Sequence, residues 1–225
     1  MLLDDKRIRI IVGHYGSGKT EFSVNYAVKL KQLKEKVALV DLDVVNLYFR
    51  SREKTEELTR LGIRVIGSSL KGLGVDIPAI SAEVYSPIQD ESYDAVLDVG
   101  GDPAGARTLG MYSQYFTEGN YDMFFVLNAN RPETQTVQKA IEYLKKIEDT
   151  ARVKVTGIVN NTHMLKSTTR EDVLKGQALA EALSEKINIP IKYVVALENV
   201  AKVLPPSIKG EVFPIKLYMR EEWMV

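Results

Sequence analysis

Seven short apolar runs recur along the chain, and they limit the possible fold more than any other feature. They lie at residues 8–12, 37–43, 63–67, 94–101, 123–128, 153–160 and 191–196. None of them alternates apolar with polar residues, which is typical of strands that are covered on both faces. The chain is therefore expected to form a sheet with other elements packed on both sides.

The segments between these runs carry helical periodicity. Apolar side chains share a helical face in three sets, which are Phe22, Tyr26, Leu30 and Leu33; Val137, Ala140, Ile141 and Leu144; and Leu174, Ala178 and Ala182. "TRED" at residues 169–172 is typical of a helix N-cap followed by acidic residues in the first turn. Strands that alternate with helices predict an α/β fold: a doubly wound, mostly parallel β-sheet with helices on both faces, in three layers. We expect a single domain over residues 1–225.

Two segments do not follow this alternation. Residues 68–92 contain two glycines and two prolines and offer only a short helix near residues 80–85. We expect this segment to cover the functional site or a partner surface. The tail from residue 211 matches neither a long amphipathic helix nor a polybasic membrane anchor.

Composition excludes several classes of function. Thirty acidic residues balance thirty basic ones, so the total charge gives no argument for a nucleic-acid partner. The absence of cysteine excludes disulfides, thiolate nucleophiles, cysteine-held zinc and iron–sulfur clusters. The N-terminus lacks the pattern of a signal peptide, and no segment approaches the apolar length of a membrane span. We expect a soluble cytoplasmic protein with no membrane partner.

The sequence "GHYGSGKT", at residues 13–20, follows the first apolar run and precedes the first helical pattern. It matches G-x-x-x-x-G-K-[ST], the phosphate-binding loop, in the strand–loop–helix context that this motif needs. Glycines let consecutive backbone N–H groups turn inward around an anion, and the following helix adds its positive end. Lys19 is expected to reach the β- and γ-phosphates, and the Thr20 hydroxyl is expected to bind Mg²⁺. The predicted nucleotide-binding residues here are Gly13, Gly16, Ser17, Gly18, Lys19, Thr20 and Glu21.

Acidic residues end two of the apolar runs. Asp41 and Asp43 lie at the end of the second run, and Asp98 precedes Gly100 and Gly101. Carboxyl ends of parallel strands meet at the edge where the phosphate loop lies, so these carboxylates are placed to serve one Mg²⁺. Asp98 after three apolar residues has the pattern of a Walker B acid, and the two glycines that of a switch whose backbone senses the γ-phosphate. Thr20, Asp43 and Asp98 are therefore the predicted metal-binding residues.

The phosphate loop, "VALVDLDVVN" (residues 37–46) and "LDVGGDPAG" (residues 97–105) together resemble the MinD/ParA-type branch of P-loop NTPases. This branch also includes the nitrogenase iron protein and CobQ/CobB-like nucleotide-binding domains. The resemblance extends from Arg7 to about Val200. It implies ATP hydrolysis coupled to association with a protein partner or a second copy. It also implies that Asp43 orients the attacking water, which makes Lys19 and Asp43 the predicted catalytic residues.

One position departs from that pattern. The family's loop carries a signature lysine directly after the first glycine, and that lysine reaches across a dimer to the partner's nucleotide. This chain has His14 there. The departure puts a dimer activated in this way in doubt, and we expect His14 to be a surface loop residue.

Base recognition has weaker signals. Asn160 and Asn161 end a predicted strand, and either amide could pair with adenine, although asparagines also cap helices and form turns. The N-K-x-D pattern of GTP-selective proteins is absent, which favours ATP and ADP. Arg50 and Arg107 are further candidates for sensing charge on the γ-phosphate.

Three functions remain open at this point. The leading hypothesis is a slow Mg²⁺-dependent ATPase that acts as a nucleotide-dependent switch for a protein partner, with catalysis by positioning and electrostatics. A second is a CobB-like ligase or kinase that acts on a small molecule. A third is a module that senses ATP and ADP without hydrolysis.

Overall fold

Eight parallel strands form one sheet in the computed structural model, which describes residues 2–43, 54–67 and 82–219. The strands are β1 (Ile8–Val12), β2 (Val37–Leu42), β3 (Ile63–Ile66), β4 (Asp94–Val99), β5 (Tyr121–Leu127), β6 (Gly157–Asn160), β7 (Ile191–Leu197) and β8 (Glu211–Ile215). Their order across the sheet is β3-β2-β4-β1-β5-β6-β7-β8, and every neighbouring pair is parallel. The predicted α/β fold with a parallel sheet is confirmed.

Helices cover both faces of this sheet. They are α1 (Lys19–Lys31), α2 (Thr55–Arg60), α3 (Tyr85–Gln89), α4 (Pro103–Gly110), α5 (Val137–Ala151), α6 (Arg170–Ile187) and α7 (Glu198–Ala201). One core cluster joins the sheet to apolar residues of α4, α5 and α6, and a second joins the other face to α1 and α2. Successive residues of β1 belong to different clusters, Ile10 and Val12 to the first and Ile11 to the second. Burial of β1 on both faces explains why its apolar residues do not alternate with exposed polar ones.

The eighth strand was not predicted from the sequence. β8 pairs with β7 at the edge of the sheet, and Pro214 lies opposite Ala196. Proline cannot donate a ladder hydrogen bond, but an edge strand tolerates it. The Pro214 carbonyl accepts a hydrogen bond from Nζ of Lys29 in α1, at 2.6 Å. The tail that matched no helix is thus partly a strand.

Two details of the helix predictions are wrong. The buried residues of α6 are Val173, Gly176, Gln177, Ala180 and Leu183, whereas Ala178 and Ala182 are exposed and Leu174 is only partly buried. Apolar residues occur around much of this helix, and alanine is found both in the core and at the surface. Periodicity alone therefore indicated the wrong face of α6. Leu33 follows the end of α1 and is 52% exposed.

The predicted cap of α6 is confirmed, because Thr169 and Asp172 form a capping box.

The irregular segment at residues 68–92 lies partly outside the described residues, which resume at Ala82. A 3₁₀ turn (Ala82–Val84) leads there directly into α3. Within residues 2–43, 54–67 and 82–219, every helix falls short of the length and apolar character that a membrane crossing requires.

Candidate functional site

The loop between β1 and α1 lies at the carboxyl edge of the sheet. Gly13, Gly16 and Gly18 have φ angles of 148°, 73° and 83°, which favour glycine. A Cβ on Gly13 would lie 2.5 Å from the carbonyl oxygen of Val126 in β5, so the loop also packs too closely for a side chain there. The Ser17 N–H donates to the carbonyl of His14 at 3.1 Å. The loop therefore has the tight backbone turn that surrounds an anion with N–H groups.

Lys19 begins α1 and is buried. Its ammonium group donates a hydrogen bond to the carbonyl of His14 at 3.2 Å. Burial lowers the pKa of Lys19, and the carboxylates of Asp98, Asp43 and Asp102 oppose this effect because they favour the charged form. The structure thus brings the loop lysine and both predicted metal-binding carboxylates together.

Asp98 lies near the end of β4 and is almost fully buried. Its Oδ1 accepts a hydrogen bond from the Ser23 hydroxyl at 3.1 Å, and the Thr20 side chain also hydrogen-bonds to the carboxylate. Burial raises the pKa of Asp98 to about 6, although Lys19 and the hydrogen bond from Thr20 favour the ionised form. Burial is therefore the main influence on the pKa of this carboxyl group.

Asp43 follows β2 and is also buried. Its backbone N–H donates to Oδ1 of Asp41 at 2.9 Å, so Asp41 supports the turn that positions Asp43. A Cβ added to Gly100 would lie 3.1 Å from Oδ1 of Asp43, which places this carboxylate against the end of β4. With Asp98 and the Thr20 hydroxyl it forms an all-oxygen donor set, and such sets suit a hard divalent cation such as Mg²⁺.

Gly101, the second glycine after β4, packs directly on the phosphate loop. A Cβ on Gly101 would lie 2.6 Å from Nζ of Lys19 and 2.6 Å from the backbone nitrogen of Tyr15. The hydroxyl of Tyr143 in α5 donates to the Gly101 carbonyl at 2.7 Å, and burial raises the pKa of Tyr143 to about 12. Asp102 then caps α4 by accepting a hydrogen bond from the Gly105 N–H. The segment after β4 therefore contacts the phosphate loop, Lys19 and α5.

His14 is turned toward α5. Its ring packs edge-on against Tyr143 with centroids 5.1 Å apart, and its Nε2 lies 3.6 Å from the carboxylate of Glu133. The side chain is only 20% exposed, so His14 is more enclosed than the expected surface loop residue. Its position is fixed by neighbours within the same chain.

The two candidate asparagines face different parts of the structure. Nδ2 of Asn161 donates to the Ser17 carbonyl at 2.8 Å and to the Gly18 carbonyl at 3.3 Å. Nδ2 of Asn160 instead donates to Val173 and Gln177 of α6 at 3.0 and 3.2 Å. Asn161 therefore lies beside the phosphate loop, whereas the Asn160 amide is used within the β6–α6 packing.

An open cleft extends from the phosphate loop toward the ends of β7 and β8. Its apolar wall consists of Leu165, Val195, Leu197, Ile215, Leu217 and Met219. Glu21 lies at the base of this wall, where its carboxylate accepts a hydrogen bond from the Met219 N–H at 3.1 Å. Glu21 thus positions the segment after β8 that lines the cleft.

Arg131 is a cleft residue that was not singled out from the sequence. It follows β5, and its Nε donates to the Gly16 carbonyl at 2.8 Å. The available signal is the stretch "VLNANRPET" (residues 126–134), which places an arginine shortly after the apolar run at residues 123–128. Of the two arginines that were considered, Arg107 is exposed in α4, and Arg50 lies outside the described residues.

The sequence matches a family model over the region that forms this site. The CobQ/CobB/MinD/ParA nucleotide binding domain matches residues 9–199, which include the phosphate loop, both acidic strand ends and Asn161. No curated protein matches the sequence closely enough to suggest a relative.

Solved structures with a similar fold include three FtsY proteins. FtsY from Mycoplasma mycoides has 20% sequence identity, a TM-score of 0.55 and an alignment over 82% of this chain and 58% of its own. The cell division protein FtsY from Thermotoga maritima has 21% sequence identity and a TM-score of 0.55, with an alignment over 82% of this chain and 60% of its own. The signal recognition particle receptor FtsY from Elizabethkingia anophelis, in complex with GDP, has 19% sequence identity and a TM-score of 0.50. Its alignment covers 82% of this chain and 55% of its own. The aligned region spans 55–60% of these structures, and at such identity the likeness concerns the fold alone.

Proposed function

The chain belongs to the CobQ/CobB/MinD/ParA nucleotide-binding domain family, and on this basis we propose that it is a Mg²⁺-dependent ATP-binding protein that hydrolyses ATP slowly. The observation that carries the proposal is the convergence of Lys19, Asp43 and Asp98 at the phosphate loop. The proposal treats residues 1–225 as one nucleotide-binding domain, which the single sheet of the described residues supports. It also assigns this domain to the cytoplasm.

The residues around the loop divide into three roles. The loop N–H groups and Lys19 bind the phosphates, and Thr20 and Asp98 hold the cation with help from Asp43. Mg²⁺ supplies charge neutralisation of the β- and γ-oxygens when it is bound. Asp43 orients the water that attacks the γ-phosphate, so it carries the catalytic role together with Lys19. Little covalent chemistry is required of the protein, because phosphoryl transfer depends mainly on positioning and electrostatics.

The segment after β4 supports a switch function. Gly101 lies against both Lys19 and the backbone of Tyr15, so a change at the phosphate loop must affect this segment. Tyr143 connects Gly101 to α5 through a hydrogen bond. Occupation of the loop by ATP or ADP would therefore alter contacts on an outer helix, where a protein partner or a second copy could detect it.

Adenine is the proposed base. The N-K-x-D pattern of GTP-selective proteins is absent from the sequence, and Asn161 lies beside the phosphate loop at the cleft. The structural neighbour from Elizabethkingia anophelis is in complex with GDP, so guanine nucleotides are the appropriate competitors in a test.

Calorimetry with ATP, ADP and GTP in the presence of Mg²⁺ tests nucleotide binding. We expect adenine nucleotides to bind more tightly than GTP, and Lys19→Ala to weaken triphosphate binding markedly. Equal binding by wild type and Lys19→Ala would remove the basis of the assignment, while equal affinity for GTP would refute the choice of adenine. Melting curves of both proteins without nucleotide control for misfolding.

A phosphate-release assay without added acceptor tests the reaction. Release under these conditions supports the hydrolytic switch. Release only when a small-molecule acceptor is present would favour a CobB-like ligase or kinase. Tight binding with no release under either condition would favour a nucleotide sensor.

A further inference from the structure

Arg131 lies over the phosphate loop, and the proposed nucleotide binding makes no use of it. Its Nε donates to the Gly16 carbonyl at 2.8 Å. A Cβ added to Gly16 would lie 2.8 Å from Cζ and 2.9 Å from Nη2 of Arg131. The guanidinium group thus covers the glycine in the middle of the loop, and only the absence of a side chain allows this approach.

The backbone around Arg131 is held in a tight turn. The Asn128 carbonyl at the end of β5 accepts hydrogen bonds from the Arg131 N–H at 3.1 Å and from the Thr134 hydroxyl at 2.9 Å. The Thr134 N–H donates to the Arg131 carbonyl at 3.0 Å, and Thr134 is fully buried. The arginine is therefore fixed both at its backbone and at Nε. Such preorganisation reduces the entropy that is lost when the guanidinium binds a ligand.

Arg131 lines the cleft, with its guanidinium group beside Gly16. In the part of the chain that the structure describes, Arg131 makes no salt bridge, and its side-chain hydrogen bond is the one from Nε. Arginine presents its donors in a planar fork, so one edge can hold the Gly16 carbonyl while the others bind a phosphate oxygen. Among the described residues that line the cleft there is one lysine, Lys19, and one arginine, Arg131.

His14 does not supply this charge. Its ring packs on Tyr143, and its Nε2 lies 3.6 Å from Glu133, on the side of the loop that faces α5. His14 is absent from the cleft lining, whereas Arg131 is part of it. A cation that supplements Lys19 therefore reaches the loop from the segment after β5.

We propose that Arg131 is a second phosphate-binding cation, which is supplied by the same chain and positioned by its hydrogen bond to Gly16. This inference rests on the proposed nucleotide binding and adds a specificity-determining residue to it. Arg131 favours di- and triphosphates over ligands with less charge.

Two substitutions separate the charge of Arg131 from its contact with the loop. In Arg131→Gln, the amide nitrogen is the same number of bonds from the backbone as Nε of arginine, so the hydrogen bond to Gly16 can persist without the charge. Arg131→Met removes both. Arg60→Met is the matched control, because Arg60 is 78% exposed on α2 and does not line the cleft.

ATP affinity is measured by calorimetry at low and high salt, and melting temperatures are recorded without nucleotide. We expect Arg131→Gln and Arg131→Met both to weaken ATP binding by about tenfold or more, as for loss of a hydrogen bond to a charged group. Their affinity should also depend less on salt than that of wild type, because one ionic contact is missing. Arg60→Met should match wild type in both measurements.

The proposal is overturned if Arg131→Gln binds ATP as tightly as wild type with the same salt dependence. Weakened binding by Arg131→Met alone would then identify the arginine as a structural contact of the loop. Failure of the proposed function looks different, because wild type and Arg60→Met would then also fail to bind ATP.

Discussion

Mg²⁺-dependent nucleotide binding should weaken as the pH falls from about 8 to about 5, because Asp98 must be ionised to hold a cation. Burial in β4 raises the pKa of this carboxyl group to about 6, and the nearby charge of Lys19 only partly opposes the shift. Ordinary exposed aspartates remain ionised throughout this range. The protonation state of Asp98 therefore changes near neutral pH.

The size of the effect follows from this pKa. At about pH 8 almost all molecules carry the ionised form, whereas at about pH 5 only about one in eleven does. Mg²⁺-dependent affinity should thus fall about tenfold, or about 1.4 kcal/mol. The raised pKa also means that the folded protein holds this proton more tightly than the unfolded chain. The contribution of Asp98 to the free energy of unfolding therefore decreases as the pH rises from about 4 to about 6.

Calorimetry in two buffers with different ionisation enthalpies measures the protons released on binding. At about pH 6, wild type should release about half a proton more than Asp98→Asn when Mg²⁺ and ATP bind. The phosphates of ATP titrate in both experiments, so the difference between the two proteins isolates Asp98. Equal proton release by the two proteins would refute the assignment of this carboxyl group as a cation ligand with a raised pKa.

Three substitutions test other parts of the site. Asp43→Asn should retain ATP binding in calorimetry but lower phosphate release by about a hundredfold or more, and release at the wild-type rate would contradict its water-orienting role. His14→Ala should change hydrolysis only modestly, because its ring faces α5; a loss as large as that of Lys19→Ala would indicate a phosphate contact. Gly101→Ala should weaken ATP binding and lower the melting temperature, because its Cβ would lie 2.6 Å from the backbone nitrogen of Tyr15. A Gly101→Ala protein with wild-type affinity would contradict this close packing.

The parts of the site that could be predicted are those that depend on local sequence. The phosphate loop requires glycines at positions that its own backbone dictates, so residues 13–20 identify it before any tertiary structure is known. Asp43 and Asp98 could be placed near it because the carboxyl ends of parallel strands share an edge. The apolar runs that mark the strands, and the acids at their ends, therefore carried most of the information about where the charges meet.

The remaining features depend on contacts between distant segments. Asn160 and Asn161 are adjacent in sequence, and only the direction of each side chain at the end of β6 separates a contact with α6 from a contact with the loop. Arg131 was not identified because its partner is a backbone carbonyl 115 residues away, which leaves no trace in local pattern. β8 was obscured by Pro214, which an edge strand accepts and a central strand excludes. Whether a strand lies at the edge depends on the order of all strands in the sheet, so the sequence of β8 alone does not reveal it.

The shared position of Lys19 among several carboxylates links cation binding to phosphate binding. Its ammonium group is stabilised by Asp98, Asp43 and Asp102, and burial disfavours its charge. A bound triphosphate attracts the same ammonium group, so phosphate binding weakens the compensation that Lys19 gives to the two carboxylates that we propose as metal ligands. A divalent cation beside Asp98 and Asp43 would compensate their negative charge when Lys19 is drawn toward the phosphates. Because such coupling is reciprocal, the cation should raise affinity for the triphosphate by the same factor as the triphosphate raises affinity for the cation.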